Sequence, residues 1–442
     1  MNKRAKKTKV IATLGPASST KEIMLELVKA GADVFRINFS HADYELVKRN
    51  VDIIREINQE YGYNISILGD LQGPKLRVGV VKEGSFLNPG DVLTFTNEPC
   101  EGDSTKVFMT YEKFPQDVKV GERILIDDGK LVFEVIETNQ KDTVKAKTIQ
   151  GGPLSSKKGV NLPNTNVSLP ALTEKDIEDA KFMIENEFDW IALSFVRHAQ
   201  DIIDLKKLIE AHSDFKIPII AKIEKPEGVK NIDEILLECD GLMVARGDLG
   251  VEVPMEEVPV IQKKLVDKAR YYSKPVIIAT QMMETMISSL TPTRAEVNDV
   301  ANNVLDGADA VMLSGETSVG KYPVDVVKNI TKIIKNIEST NLYEKKNDII
   351  EKITCVDDRF VTDMVCLNAV KIAETTGAAA IITLTHSGYT AFQISAHRPT
   401  SRIIVYSSNR RVLTMLNLLW GVRAFYYDMN KSTDETVIQV NM

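Results

Sequence analysis

The sequence predicts an α/β protein: a TIM (β/α)8 barrel with an all-β domain inserted into it and an α/β domain after it. Three observations carry this. Eight short β-branched runs alternate with amphipathic stretches of helical period from Lys9 to about residue 340. The helical period vanishes between Gly73 and about Pro170, where turn signals multiply. Beyond about residue 345 the strand–helix alternation resumes. At ~150 residues per domain, a chain of 442 residues has room for about three such units.

In order, the eight runs read KVIATLG, DVFRINFS, NISILGD, WIALSFV, PIIAKIE, GLMVARGD, PVIIAT and ADAVMLSG. Most lack polar alternation, as parallel strands covered on both faces do. The helices between them carry start and face signals. Thr173 and Asp176 form a capping-box pattern ahead of Ile177, Ala180 and Ile184. Val324, Val327, Ile330, Ile334 and Ile337 recur at spacings of three and four, one apolar stripe on the last barrel helix. Eight strands with eight helices is the count that closes a barrel, the alternative being an open doubly wound sheet. The barrel is assigned residues 1–72 and 171–340, and the insert residues 73–170. Within the insert, Asn88-Pro89-Gly90-Asp91 and the hairpin dipeptide Asp128-Gly129 separate the runs DVLTFT, RILID, KLVFEVIE and VKAKTI. Residues 341–357 read as a polar linker. In the last unit, 345–442, AAAIITLT and RIIVYSS read as strands flanking a helix.

Composition excludes several classes. With 43% hydrophobic and 26% charged residues the chain is neither disordered, collagen-like nor a coiled coil. The 55 Lys+Arg against 62 Asp+Glu leave −7, so the surface as a whole does not invite nucleic acid. Cys100, Cys239, Cys355 and Cys366 form no CxxC pair, which excludes a disulfide scaffold and a thiolate zinc site and suits the reducing cytoplasm. No apolar run approaches the ~18 residues of a membrane helix. The basic start (Lys3, Arg4, Lys6, Lys7, Lys9) precedes an apolar stretch too short for a signal peptide and reads as a solvated tail entering a strand.

In a barrel, polar groups at the C-terminal ends of the strands face the active site. Those ends are crowded here: Arg36, Asn38, Ser40 and His41 on the second, Asp70 on the third, Ser194 and Arg197 on the fourth. The fifth carries Lys222 and Glu224, the sixth Arg246-Gly247-Asp248, the seventh Thr280 and Gln281, the eighth Ser314 and Glu316. Lys222 and Glu224 stand two apart and project to the same side. Burying that pair is costly without partners, which a shared metal and phosphate would supply. Two hard carboxylates, Glu224 and Asp248, with no histidine cluster suit Mg²⁺ or Mn²⁺ rather than zinc. Arginines and a lysine beside them suit a phosphoryl or carboxylate substrate. Thr280 adds a hydroxyl that can hydrogen-bond or relay a proton. No Ser/His/Asp order is evident, the five histidines (His41, His198, His212, His386, His397) lack ligand spacing, and Cys239 reads as core. Gly315 to Lys321 fits GxxxxGK, but Tyr322 and Pro323 follow where a phosphate loop needs Ser or Thr, so that motif is rejected.

The strings FRINFSH, GDLQGPKLR, AKIEKPEG, MVARGDLGVE, ATQMMETM and MLSGETSVGKYP, with SSKKGVNLPNTNVSLP closing the insert, resemble the signature segments of the pyruvate kinase family. The resemblance runs from residue 8 to about 430. It implies phosphoryl transfer from phosphoenolpyruvate to ADP, giving pyruvate and ATP in glycolysis. Lys222 would stabilise the phosphoryl group in flight, Glu224 and Asp248 would hold Mg²⁺ or Mn²⁺, and the backbone at Gly247 and Asp248 would meet the substrate carboxylate. Arg36 and Arg77 would contact phosphates, and Thr280 would lie near the enolate carbon. Asn38, His41, Arg77 and Lys158 match nucleotide-binding positions, although Lys157-Lys158 reads equally as a solvated pair. The insert would close as a lid that keeps water from the phosphoryl group. Asn38, Ser40, Asp70 and the Leu71 carbonyl match a monovalent-cation site. Members that need potassium typically read DTKGPE, whereas here Lys75 replaces the acidic residue, so its ammonium would stand in for K⁺ and activity would not require it. Thr385, Ser387, Gly388 and Thr390 match an effector site whose hydroxyls and amides would cradle a phosphate, the alternative being a hydroxyl-rich helix cap. The chain stops tens of residues before the family's usual last strands, so the effector domain reads as truncated. The family is usually homotetrameric. The rival readings are a Mg²⁺-dependent TIM-barrel lyase or aldolase acting on pyruvate enolates, and a non-catalytic metabolite sensor; an intact Lys222 and both metal carboxylates disfavour the sensor.

Overall fold

Eight parallel strands close on themselves: β1 (Lys9–Thr13), β2 (Val34–Asn38), β3 (Ser66–Asp70), β4 (Trp190–Leu193), β5 (Ile219–Ile223), β6 (Gly241–Ala245), β7 (Val276–Ala279) and β8 (Ala310–Leu313). Each pairs with its successor, and β8 returns to β1 in the register Lys9↔Ala310. The closure excludes an open sheet. The computed structural model describes residues 6–340 and 359–428, so the linker expected at 341–357 and the stretch from 429 lie outside the described residues.

Helices cover the outer faces, which is why the outward-facing strand residues, such as Val10, Ala12, Phe35 and Ile37, are apolar and buried. The capping box at Thr173 and Asp176 is formed in both directions and opens the helix Glu174–Glu185. On the helix Pro323–Glu338 the buried face is Val326, Val327, Ile330, Thr331 and Ile334. Val324 and Ile337, placed on the stripe by spacing, are only partly buried. Val324 sits about a quarter-turn from the centre of that face and Ile337 in the last turn, where the helix runs past its support.

The chain leaves the barrel after β3 and returns at Glu174. Between them lies a six-stranded sheet ordered Val160–Asn161, Arg123–Ile126, Leu131–Thr138, Thr143–Gln150, Val92–Thr96, Lys106–Phe108. One short helix, Phe114–Asp117, joins it, packing Phe114 edge-on to Phe95. The expected hairpin at Asp128-Gly129 is formed with three successive positive φ values, 54°, 56° and 84° at Asp127, Asp128 and Gly129. Gly73 marks the way out of the barrel. Its φ is +71°, its N–H donates to Asp176 at 3.0 Å, and a Cβ there would lie 2.8 Å from the Phe195 ring.

The C-terminal unit is a three-stranded parallel sheet, Ala380–Leu384, Arg402–Ser407 and Val422–Tyr426. The first two strands and the helix Tyr389–Ala396 between them follow the sequence expectation. The third escapes it because its five residues, buried at Val422 and interrupted by Arg423, hold no run of β-branched residues like the one at Ile381–Thr383.

This unit plugs the floor of the barrel. Leu68, Trp190, Met243, Ile277 and Met312 form one core with Leu416, Leu418 and Trp420. Arg398 reaches across to Asp309 as a buried bidentate pair, 3.0 and 2.7 Å. The basic start is not a solvated tail from Lys6 onward. Lys6 ion-pairs with Asp33; Lys7 Nζ donates to the carbonyls of Pro399 and Thr400 at 2.8 and 2.9 Å; Lys9, 5% exposed, donates to the Val422 carbonyl at 2.9 Å. Burial pushes the Lys9 ammonium down to about 8. Composition cannot foresee this, because the carbonyls and carboxylates that take these cations come from Asp33 and from residues about 400 positions away. Among the described residues no helix is long and apolar enough to cross a membrane.

Candidate active site

β5 ends by directing Lys222 and Glu224 into the mouth of the barrel, and the side chains meet at 3.0 Å. Lys222 Nζ also lies 3.0 Å from Asp70 Oδ1 and donates to Ser194 Oγ at 2.6 Å. Asp70 Oδ2 accepts from Arg36 Nε at 2.7 Å, and Arg36 Nη1 donates to Thr13 Oγ1 at 3.1 Å. Residues from β1, β2, β3 and β5, with Ser194 just beyond β4, thus form one array of alternating charge. Lys222 is 9% exposed, and Asp70 and Glu224 are each 1% exposed. The pair therefore has partners from the chain itself, where the sequence had suggested that a bound metal and phosphate would be needed.

Burial opposes ionisation of Asp70, but Lys222 and Arg36 outweigh it and hold the carboxyl below the usual aspartate range. Burial likewise opposes the Lys222 ammonium, and Asp70 with Glu224 holds it above the usual lysine range. Glu224 moves the other way: burial raises it, Lys222 resists, and the like charge of Asp248 adds to the rise. A buried carboxylate facing a second one is a fit for a hard divalent cation. Among the described residues no group of three or more His, Cys, Asp or Glu is arranged for a metal. Glu224 and Asp248 would thus be two protein donors to a Mg²⁺-type ion, with the remaining positions left to substrate oxygens and water.

Asp248 lies in the first turn of the helix Arg246–Glu252, which follows β6 directly. Arg246 is oriented by Asp299 through two bonds of 2.7 and 2.8 Å and donates to the Thr280 carbonyl at 2.7 Å. The Gly247 N–H donates to Thr280 Oγ1 at 2.7 Å, and that hydroxyl donates to the Ala279 carbonyl at 2.6 Å. Thr280 and Gln281 have φ of 70° and 51°, left-handed conformations costing about 1–3 kcal/mol each for non-glycine residues. Arg246 and Gly247 hold that strain in place, and with it the position of the Thr280 hydroxyl. The same geometry engages the Gly247 N–H that the sequence had assigned to a substrate carboxylate.

Ser194, named from sequence only as a polar strand end, has a definite place. Its hydroxyl donates to the Leu71 carbonyl at 2.6 Å while accepting from Lys222. Of the residues matched to a monovalent site, Asn38 pairs in register with Asp70, Leu71 follows Asp70, and Asn38 Oδ1 accepts from the Ser40 N–H at 3.1 Å. Lys75 is exposed and turned toward the insert, its Cε 3.6 Å from the Cβ position at Gly159. Among the described residues no ion pair joins it to Asp70; the ammonium beside Asp70 is that of Lys222.

The expected nucleotide residues divide between two bodies. Asn38 caps the 3-10 turn Phe39–His41 at the end of β2, and His41 is its last residue. Arg77 and Lys158 come together in the insert, where Arg77 bridges to the Gly159 backbone and donates to the Lys157 carbonyl at 2.9 Å, and Lys158 pairs with Asp127 at 2.9 Å. Between insert and barrel runs a cleft whose walls include Lys75, Asn161, Arg197, Lys225, Asp248 and Glu252. Sequence reasoning gave no role to Asn161, Lys225, Glu252 or Asp299. Asn161, Lys225 and Glu252 lie inside the segments SSKKGVNLPNTNVSLP, AKIEKPEG and MVARGDLGVE, which could have pointed to them, whereas Asp299 lies outside all of the quoted segments.

Elsewhere, Thr385 Oγ1 accepts from the Gly388 N–H at 2.9 Å, Thr390 meets Thr383 at 3.0 Å, and Ser387 is exposed. Gly388 has φ +89° and no room for a side chain, since a Cβ would lie 2.9 Å from Leu416. The Gly315–Lys321 segment is a structural turn: buried Glu316 accepts from the backbone of Met283 and Ser314 at 3.1 and 2.7 Å. Cys239 is fully buried, and burial pushes its thiol up to about 12.

Comparison with known proteins gives a consistent result. A family described as "Pyruvate kinase, barrel domain" matches residues 5–327, and "Pyruvate kinase, alpha/beta domain" matches residues 363–442. Pyruvate kinase 2 of Synechocystis sp. is 44% identical over 436 residues, 98% of this chain and 72% of that protein. The pyruvate kinase of Mycobacterium intracellulare is 42% identical over 99% of this chain and 91% of its own length. A crystal structure of a pyruvate kinase from Cryptosporidium parvum superposes with a TM-score of 0.94 at 35% identity, covering 98% of this chain and 90% of that one.

Proposed function

The chain belongs to the pyruvate kinase family, and on that premise we propose how its own residues carry the family's reaction, transfer of a phosphoryl group from phosphoenolpyruvate to ADP to give pyruvate and ATP. Family membership sets aside the lyase and sensor readings. The observation that carries the assignment of roles is the buried array Arg36–Asp70–Lys222–Glu224 at the mouth of the barrel.

Phosphoryl transfer asks a protein chiefly for positioning and for neutralisation of charge on the oxygens of the group in flight. Lys222, kept charged by two carboxylates and aimed by Ser194, offers a fixed cation for that purpose. Arg36, anchored by Asp70 and Thr13, offers a second one for the substrate phosphate. Glu224 and Asp248 hold the divalent ion, Mg²⁺ or Mn²⁺. When bound, that ion neutralises and templates substrate oxygens. The helix turn at Gly247 and Asp248 meets the substrate carboxylate, the Gly247 N–H leaving Thr280 Oγ1 to do so, and Thr280, fixed by its left-handed backbone, faces the carbon that is protonated. Asn38 and His41 from the barrel, with Arg77 and Lys158 from the insert, hold the nucleotide as the insert closes as a lid. Lys158 exchanges Asp127 for a nucleotide phosphate in doing so.

Direct binding tests the metal assignment. Glu224→Gln is expected to weaken Mn²⁺ binding to the substrate-free protein about tenfold or more, read by calorimetric titration, since removing one of two carboxylate donors removes half of the site's formal charge. Unchanged affinity would move the metal elsewhere.

We further propose that activity does not require potassium. Asp70 already stands between two internal cations, Arg36 and Lys222, which supply the charge that the sequence had looked for in Lys75. In tetraalkylammonium buffer free of Na⁺ and K⁺ the enzyme should turn over at nearly its full rate; a rise of more than about tenfold on adding K⁺ would sink this. Thr385, Ser387, Gly388 and Thr390 are proposed as the cradle of a phosphorylated effector, the homotetramer as the assembly, and the cytoplasm as the site of action.

A further inference from the structure

One buried carboxylate joins the lid to the substrate helix, and the reaction described above does not use it. Glu252 ends the helix Arg246–Glu252, whose first turn carries Gly247 and Asp248. It is 5% exposed. Its Oε1 accepts from Nδ2 of Asn161, on the lid strand Val160–Asn161, at 2.8 Å. The same oxygen accepts from Nζ of Lys225, on the turn after β5, at 2.7 Å. Oε2 is buried without a hydrogen-bond partner. One carboxylate oxygen thus ties together the lid, the helix that presents Gly247 and Asp248, and the segment that presents Lys222 and Glu224.

Among the described residues, the other side-chain hydrogen bonds between lid and barrel hold the two connecting segments. Asp176 takes the Gly73 N–H on the way out, and Arg197 donates to the carbonyls of Val167 and Leu169 on the way back. Asn161 differs, because it belongs to the lid's own sheet. The tip of the hairpin Arg123–Thr138 leans on the same stretch of helix, with the Cβ position of Gly129 4.0 Å from Val251.

We propose that Glu252 is a positioning residue, a latch that couples the placement of the lid to the placement of Gly247 and Asp248. A helix of seven residues is about 10 Å long and stiff, so a pull at its last residue moves its first turn. With Asn161 engaged, the lid sheet is held against the helix and the first turn is fixed over the cleft. When the lid leaves, Lys225 keeps the buried carboxylate neutralised and ready to be engaged again. The inference rests on the assignment of substrate to Gly247 and Asp248, but its test is separate from the test of that assignment.

The test uses Asn161→Ala, Glu252→Ala and the double variant, with pyruvate and ATP formation followed in parallel. Asn161→Ala should lower kcat/KM for phosphoenolpyruvate about tenfold, the worth of one hydrogen bond to a charged group, and Glu252→Ala, which also takes the partner of Lys225, at least as much. The double variant should be no worse than the poorer single one, since both changes break the same tie. Pyruvate formed should exceed ATP formed in all three, as a loosened lid admits water. Asn161→Asp, which sets a second carboxylate against Glu252, should be poorer than Asn161→Ala, and this comparison decides the matter if Glu252→Ala does not fold. Single effects that multiply in the double variant, or Asn161→Ala within about twofold of wild type, would overturn the latch. Because Lys222 is intact in every variant, failure here leaves the assigned reaction standing.

Discussion

Lys222→Met is expected to abolish turnover while leaving the fold and phosphoenolpyruvate binding in place. The side chain is close in volume, so packing is preserved, but the fixed charge that meets the phosphoryl group is gone. Cations that stabilise phosphoryl transfer in this way are worth about 10³–10⁵ in rate, and the expected loss in kcat is of that order. Asp70 keeps Arg36 as a partner at 2.7 Å, and Glu224 loses the ammonium 3.0 Å away but keeps the Phe195 N–H at 2.7 Å. The measurement is steady-state pyruvate release through a coupled dehydrogenase, with substrate binding followed by fluorescence titration and folding by thermal melting. Undiminished activity in the folded variant would refute the role given to Lys222 and, with it, the reading of the array.

Arg398→Ala is expected to be the most damaging change outside the site, costing about 3–5 kcal/mol. Asp309 is 2% exposed and keeps only the N–H groups of Val276 and Trp420 at 3.0 and 3.2 Å once the guanidinium is removed. Arg398 also donates to the carbonyls of Ser395 and Gly307, so the truncation orphans the seam between the C-terminal sheet and the barrel floor. A urea-denaturation series reads the effect. The double change Arg398→Met with Asp309→Leu should recover most of it, because a buried pair replaced by apolar volume leaves no charge behind. A midpoint for Arg398→Ala close to wild type would show that water reaches Asp309.

Particular residues show why part of this protein is legible in its sequence. The strands are readable because each is covered on both faces, which forces an apolar run at every one. The hairpin at Asp128-Gly129 and the capping box at Thr173 are readable because their hydrogen bonds close within a few residues. Lys222 and Glu224 are readable as a pair because the strand period puts them on one side. The strand Val422–Tyr426 is not, since Arg423 breaks it after its one buried residue and it holds a single β-branched side chain. The cations at the chain start are not, because their acceptors are distant: the carbonyls of Pro399 and Thr400 receive Lys7 Nζ at 2.8 and 2.9 Å, and that of Val422 receives Lys9.

By itself, then, the sequence determined the barrel, the interruption after the third strand and the identity of the charged groups at the strand ends, because alternation, turn chemistry and strand period act over a few residues at a time. Tertiary structure alone decided which charge answers which. It paired Lys222 with Asp70, set Ser194 between Lys222 and the Leu71 carbonyl, turned Lys75 toward the lid, bent Thr280 into a left-handed backbone under Arg246, and put Asn161 on Glu252. Each of those pairings is a contact between segments far apart in the chain. Such contacts depend on closure of the barrel and on where the insert comes to rest, which no local pattern encodes.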